Sequence, residues 1–374
     1  MAAAVTDQAR LRTQAQNVLT TASSRMRSLL GVAIKDSPRY ASALWGGRRR
    51  YLALCNRYER LQAAPDGSGY RCEWQWTSDL HAPTIFPAFG KRLMRLAFQD
   101  HPICCRKQPV SQTGAPDVSF VIGHRGVDRL PHLLKTLESI AGQHDASVEC
   151  IVVEQDVEAR LPARLPAWVH YLHTPPPAQE MPYCRAWAFN VAARHARGRV
   201  LVLHDSDLLI SWDYAKLALA RLEAGYDVVD LKRYVFYLTE VETHEILAGH
   251  PLLGGVPPQR IVQNLLGGCS VVIDRSAYIS IGGMDEGFIG WGGEDNEFWE
   301  RVQTLRVWPY GCVPLIHMWH PAQVGKYQAG NPALARYRML SAIAVVERIE
   351  RLRQTVSGAM SGPAGLNATR TRAL

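Results

Sequence analysis

The period of the apolar residues changes several times along the chain, and each change marks an element. Residues 118–122 form an apolar run of strand length, and Leu130, Leu133, Leu134 and Leu137 then recur at helical spacing. Asp128 stands where a helix cap is wanted and Gly142 where a helix stops. Residues 148–153 are a second apolar run, ending in Glu154, Gln155 and Asp156. Strand, helix and strand in such close succession predict a βαβ unit, the opening of a doubly wound parallel sheet. A third run, Val200, Leu201, Val202 and Leu203, shows no alternation, which suits a strand buried on both faces. It leads into His204, Asp205, Ser206 and Asp207, so these polar groups are expected where the strand ends.

The flanking segments yield to the same reading. An alanine-rich helix at 184–196 contains Asn190, and Gly198 ends it before the third run. Ser211 is expected to cap a helix over 212–224 that Gly225 stops, and a strand follows at 228–231. Residues 239–259, with their glycines and prolines, read as an excursion toward substrate. Nearer the start, 51–61 looks helical, 64–69 is a turn, 70–76 alternates like a strand, and 86–105 mixes helical and aromatic character. Residues 108–116 read as a linker, and the prolines at 175–177 open an exposed connection. Leu334, Tyr337, Leu340, Ile343 and Val346 make one stripe of a helix over 332–353, and 357–374 has the small, polar composition of a disordered tail. The chain divides into an N-terminal accessory region (1–110), an α/β catalytic domain (111–325) and a C-terminal helix with its tail (326–374).

Composition narrows the class. With 374 residues the chain can bury a sizeable core, and no run of eighteen apolar residues predicts a membrane span. The first residues lack the basic-then-apolar pattern of a secretory signal, so a cytoplasmic protein is expected. The eight cysteines have no C-x-x-C spacing and read as reduced core residues. A formal charge of +8 favours an anionic partner. Lys and Arg are scattered without interleaved aromatics, which argues against nucleic acid, and no G-x-G-x-x-G follows the first strand, which argues against a dinucleotide oxidoreductase. Arg48, Arg49 and Arg50 could meet acidic headgroups at a membrane surface, although a solvated cluster is the default.

Two acidic clusters carry the chemistry. Asp205 and Asp207 are two residues apart and point the same way in extended backbone. Held together they repel unless a cation shares them, and oxygen ligands suit Mg2+ or Mn2+. Taken alone, such a pair is a common solvated turn. The second cluster, Gly290-Trp291-Gly292-Gly293-Glu294-Asp295-Asn296-Glu297, precedes helically spaced Phe298, Val302 and Leu305. Acids at a helix start favour the dipole there, but the tryptophan and glycines call for more. Trp291 offers a flat face to a sugar ring, Gly292 and Gly293 let backbone approach a ligand, and a carboxylate beside them could take a proton from a sugar hydroxyl. In the first βαβ crevice, Arg125 could meet a phosphate, and Glu154 and Asp156 could accept from a ribose or uracil.

Together these motifs, from His204-Asp205-Ser206-Asp207 through 267–273 and 282–286 to 290–299, resemble GT-A-fold glycosyltransferases. The likeness is to bacterial family 2 members and to the galactosyltransferase C-terminal domain of family 7, over roughly 118–320. It implies a Rossmann-like, mostly parallel sheet flanked by helices, here with an N-terminal helical extension. It further implies that Asp205 and Asp207 hold the metal, Mn2+ or Mg2+, together with a UDP-sugar, completed by His317 or His320 after the last strand. Asp295 matches the general base of inverting enzymes and Glu294 its acceptor-binding neighbour, while Glu154 and Asn190 fall where the donor is bound. Galactose or N-acetylgalactosamine would pass to a saccharide or glycolipid hydroxyl in polysaccharide or glycoconjugate synthesis. Asn296 departs from the galactosyltransferase pattern, which has a third acid, and retaining relatives carry Asn where this chain has Asp295.

Overall fold

The computed structural model describes residues 26–74, 76–110, 114–251, 255–322 and 330–359. Its central strand is Val200–His204, buried at every position. The expected βαβ unit forms: Val118–His124 and Val148–Glu154 pair in parallel, joined by helix Leu130–Ala141, and Val118–His124 pairs in parallel with the central strand as well. His170–His173 extends this parallel side. On the other side Ser270–Asp274 runs antiparallel to the central strand, and Val228–Val229 and Val307–Trp308 complete seven strands. The result is the mostly parallel, helix-flanked α/β sheet expected, with one strand inverted. Burial on both faces explains the missing alternation. Phe120, Val152 and Val202 pack against Leu133 and Ala218 on one face, and Val121, Ile151 and Leu203 against Ala188 and Phe189 on the other.

A second sheet is not legible in the apolar pattern. It has five strands, in the order Ser78–Asp79, Arg260–Gln263, Lys232–Tyr237, Val313–His317 and Leu208–Ile210. The chain crosses from one sheet to the other between 204 and 208, where Asp205 and Asp207 stand, and again between 308 and 313. The first acidic pair therefore sits at a seam between sheets, open to loops from both.

Buried charge hid this sheet. The strand expected at 228–231 is two strands, Val228–Val229 and Lys232–Tyr237, the second beginning with buried cations. Lys232 Nζ lies 2.7 Å from Asp230 and 2.8 Å from the Ser270 carbonyl. Arg233 donates to the carbonyls of Leu52 (2.7 Å) and Leu54 (2.6 Å), so it fastens the N-terminal region to the sheet. That region shares a core with the sheet, Tyr40, Leu44 and Tyr51 packing with Leu209, Phe236 and Ile316. The excursion expected at 239–259 contains a helix, Glu240–Leu247, capped by Thr239 Oγ1 accepting from the Glu242 N–H at 3.2 Å; residues 252–254 lie outside the described residues. The sequence Thr-Glu-Val-Glu is a capping-box pattern.

Other boundaries also shift. The turn at 64–69 joins strands Leu61–Ala63 and Tyr70–Cys72, the second ending short of residue 76, and the helix expected at 51–61 shrinks to a 3-10 turn, Arg50–Ala53. Helix Pro87–Asp100 forms within 86–105. Gly142 closes its helix as expected, but Arg129, not Asp128, is the residue before Leu130. Likewise Asp213, not Ser211, precedes helix Tyr214–Glu223, and neither Arg129 nor Asp213 makes a side-chain cap. The single C-terminal helix is two, Pro332–Ser341 and Val345–Ala359, so the one-stripe reading fails and Val346 is exposed. The second helix takes in 357–359 of the expected tail. Residues 1–25, the remaining tail from 360, and 111–113 of the linker lie outside the described residues.

The C-terminal helices clamp helix Glu294–Val302 through buried charge. Glu297 is 1% exposed and bonds Arg301 at 2.7 and 2.8 Å and Arg348 at 3.2 Å. Arg301 also donates to the carbonyls of Ile281 and Gly283, each at 2.6 Å. Removing Glu297 leaves the buried Arg301 guanidinium without a carboxylate, while Arg348 keeps Glu300 at 2.6 Å. Glu297→Ala is expected to destabilise the fold by about 3–5 kcal/mol, read as a lower denaturant midpoint.

Candidate active site

Asp207 is buried at the seam, just before strand Leu208–Ile210. That strand pairs antiparallel with Val313–His317 in a register that sets Leu208 opposite His317. Three residues on, His320 folds back, and one ligand atom from each of Asp207, His317 and His320 falls within 4.8 Å of the others. His317 Nδ1 lies 2.9 Å from the Met318 carbonyl, which can only accept, so the proton is on Nδ1 and Nε2 is turned to Asp207 Oδ1 at 3.9 Å. His320 Nε2 is 3.2 Å from Asp207 Oδ2. Burial lowers the pKa of His317 against the opposing pull of Asp207, and its ring stacks on Tyr237 at 4.3 Å. Burial would raise the Asp207 carboxyl, but His317, His320 and Arg129, the last at 3.3 Å, together hold it well below the usual range. Its Oδ1 is buried and has no hydrogen-bond partner. An orphaned carboxylate oxygen beside two imidazoles fits a divalent cation, and that donor set suits Mn2+ better than Mg2+. Both candidate histidines, not one of them, join the cluster.

Asp205 is outside this trio. Its N–H donates to the Cys269 carbonyl at 3.0 Å, and its Oδ1 lies 2.7 Å from Arg185 Nη2. Arg185 opens helix Arg185–His195, stacks on Phe189 at 4.6 Å, and bonds Asp295 through Nη1, which is 4.0 Å from Glu294. One guanidinium thus ties the first acidic cluster to the second. The two groups do share one site, with Arg185 filling the interval between them. Glu294 turns back to accept from the Gly292 N–H at 3.1 Å. Burial, and next the charge of Asp295, raise Glu294 to about 7 against the pull of Arg185. Burial likewise raises Asp205 to about 6, with Arg185 opposing it.

Several expected residues are occupied by the fold. Glu154 is fully buried and accepts from the Arg160 and Leu161 N–H groups and from the Tyr171 hydroxyl at 2.6 Å. Asn190 Oδ1 accepts from the Met284 N–H at 2.9 Å and its Nδ2 donates to Glu286 at 2.8 Å, which pins the turn leading to the second cluster. Asp156 accepts from the Gly126 N–H at 3.2 Å, and Arg125 donates to the Met181 carbonyl at 2.5 Å, so both shape the loop after Val118–His124. Gly292 and Gly293 have φ of +111° and +87°. A Cβ on Gly293 would come 2.8 Å from Tyr337 Cβ, so this glycine admits the C-terminal helix as well as the turn. Trp291 is half-buried, and its carbonyl accepts from Asn331 at 2.8 Å. Arg185 and Arg129 are absent from the sequence-based site. The one available signal was Arg185's place at the start of the helix entering the central strand.

Residues 127–278 match the family model of glycosyl transferase family 2, and residues 259–308 match a model described as the N-terminal domain of galactosyltransferase. The first of these stretches is similar to family 2 glycosyltransferases. Asp205 and Asp207 fall in the first matched span and Glu294 and Asp295 in the second, while His317 and His320 lie beyond both. No curated protein matches the chain. Among solved structures, it is similar to GalNAc-T7 with UDP, GalNAc and Mn2+, at 15% identity and a TM-score of 0.44, over 68% of this chain and 53% of that one. The chain therefore spans about half of that protein's length. A mannosyltransferase from Pyrobaculum calidifontis with GDP-Man and Mn2+ gives 14% identity and a TM-score of 0.38, over 76% and 84%. The catalytic domain of Drosophila beta1,4galactosyltransferase 7 with xylobiose gives 15% and 0.33, over 59% and 79%.

The raised Glu294 carboxyl has a measurable sign. The folded chain holds that proton up to about pH 7, whereas an unfolded chain releases it near 4.5. Folding stability from this group therefore falls as pH rises through that window and is least favourable above it. Glu294→Gln is expected to melt above the parent chain at about pH 8 and to converge with it near pH 4, as thermal scans across pH would show.

Proposed function

We propose that the chain moves a hexose, galactose or N-acetylgalactosamine, from a UDP-sugar to a saccharide or glycolipid hydroxyl with inversion, in bacterial polysaccharide or glycoconjugate synthesis. The observation that supports this reading is that Asp207, His317 and His320 could hold a cation while the adjacent Asp205 shares Arg185 with Asp295. Asp207, His317 and His320 would hold Mn2+ or Mg2+, which when bound supplies positive charge to a donor diphosphate and its UDP leaving group. Arg185 and Arg129 face the same place and can pair with phosphate oxygens. Asp205 remains at hand for the sugar or the diphosphate. Trp291 and Glu294 seat the acceptor. Asp295, about one-third exposed, takes the proton of the attacking hydroxyl as its oxygen bonds the anomeric carbon and the bond to UDP breaks. Aspartate at 295, rather than the asparagine of retaining relatives, supports inversion.

UDP release from a panel of UDP-sugars, with Mn2+ and saccharide acceptors, tests the reading, and proton NMR of the product reads its anomeric configuration. A product of retained configuration would favour the retaining alternative. Nucleotide binding without release would mean a non-catalytic binding protein. Absence of any Mn2+-dependent protection by UDP against thermal unfolding would end the proposal.

A cytoplasmic, peripheral position on an anionic membrane belongs to the same reading. Met26, Leu30 and Ile34 are exposed at helical spacing beside Arg27 and Lys35, and no described helix is long and apolar enough to cross a membrane. Co-sedimentation with anionic but not neutral vesicles tests this, and indifference to lipid charge would refute it.

A further inference from the structure

The N-terminal region contributes two exposed tryptophans, Trp74 and Trp76, whose backbone is tied to the segment leading into the candidate site. Trp74 is 46% and Trp76 62% exposed, large apolar surfaces that folding alone gives no reason to leave in water. They lie outside both matched family spans. Their backbone is nevertheless tied to the site. Asn264 Nδ2 donates to the Trp74 carbonyl and, at 3.0 Å, to the Trp76 carbonyl, and Thr77 Oγ1 donates to the Asn264 carbonyl at 3.3 Å.

From Asn264 the chain runs directly into the site. Asn264, Gly267 and Cys269 all have positive φ, at +56°, +73° and +62°, a contorted course for two residues with side chains. A Cβ on Gly267 would fall 2.8 Å from the Asp295 carbonyl oxygen, and one on Gly268 would fall 3.5 Å from Asp295 Oδ2. Cys269 accepts from the Asp205 N–H at 3.0 Å. Two residues separate Asn264 from Gly267, so three Cα–Cα steps span at most about 11 Å of extended chain. The backbone at Trp74 and Trp76 is therefore joined through Asn264 to the turn at 267–269 that packs on Asp295, a span that an acceptor longer than one sugar could cover. An indole presents a flat apolar face to a pyranose ring and keeps an N–H for its hydroxyls.

We infer that Trp74 and Trp76 form a subsite for the second and later sugars of an oligosaccharide acceptor, set on the N-terminal region and positioned through Asn264. The inference rests on the transferase reading above and specifies its acceptor: a saccharide chain rather than a single sugar. The first sugar sits at Trp291 and Glu294, and the chain leaves the site across the exposed indoles.

The test compares the full-length chain with the Trp74→Ala, Trp76→Ala and doubly substituted variants, with UDP-sugar, Mn2+, and hexose and N-acetylhexosamine acceptors as methyl glycosides, disaccharides and trisaccharides. In the double variant the kcat/KM for trisaccharide relative to methyl glycoside is expected to fall about ten-fold, through KM, and Trp76→Phe should restore most of the single-variant loss. Quenching of indole fluorescence by trisaccharide should also diminish in the variants, which checks binding without turnover. A ratio that stays constant, or a wild-type enzyme that shows no preference for longer acceptors, overturns the subsite. A wild-type chain without Mn2+-dependent UDP binding overturns the transferase reading itself, and the subsite with it.

Discussion

Asp295→Asn is expected to lower kcat by about 10²–10⁴-fold, the range that loss of a positioned general base brings. The substitution keeps the side chain's shape and an oxygen for Arg185 but removes the basicity needed to accept the hydroxyl proton. Asp295 lies in the first turn of helix Glu294–Val302 and is partly exposed, so the fold should tolerate the change. Donor KM should move only a few-fold, because Asp207, His317 and His320, the proposed cation ligands, are untouched. The measurement is steady-state UDP release with and without acceptor, alongside a thermal scan. Retained turnover in a folded variant would remove Asp295 as the base and point to Glu294, whose raised carboxyl loses its proton near neutral pH.

The strands Val118–His124, Val148–Glu154 and Val200–His204 of the main sheet were legible because they are buried on both faces, so their apolar runs stand out against helical spacing at Leu130, Leu133 and Leu137. The partly exposed His170–His173 has no such run. The second sheet was not, because its central strand starts with Lys232 and Arg233. Those cations lie inside only because Asp230, Gln263 and the carbonyls of Leu52 and Leu54 receive them, and such partners are distant in sequence. The site divides along the same line. Acid types and glycine spacing announced Asp205, Asp207, Glu294 and Asp295, and a histidine pair after a strand announced His317 and His320. Glu154 and Asn190 carry suitable chemistry, but their hydrogen bonds are used by the fold. Arg185 was hidden for the opposite reason, since one arginine at a helix start is ordinary until folding brings carboxylates from residues 205 and 295 onto it.

Asp207→Asn is expected to abolish Mn2+-dependent binding of UDP and, with it, turnover. Asp207 is the only carboxylate in the trio, and its Oδ1 faces the cluster without a donor of its own. An amide there can place an NH2 group toward the ion and brings no negative charge, leaving only two imidazoles to hold a divalent cation. The loss in metal affinity should exceed the roughly 10–100-fold that disturbing an outer-sphere partner costs. Replacing Asp205 gives the informative contrast. Because its carboxylate is held by Arg185 outside the trio, Asp205→Asn should leave Mn2+ affinity within a few-fold of the parent chain while lowering turnover. Titration of each variant with Mn2+, followed by paramagnetic resonance of the free ion and by the shift in melting temperature with UDP, reads affinity apart from activity. If Asp205→Asn loses the ion as completely as Asp207→Asn does, the two aspartates share it, and Arg185 must yield Asp205 when the cation arrives.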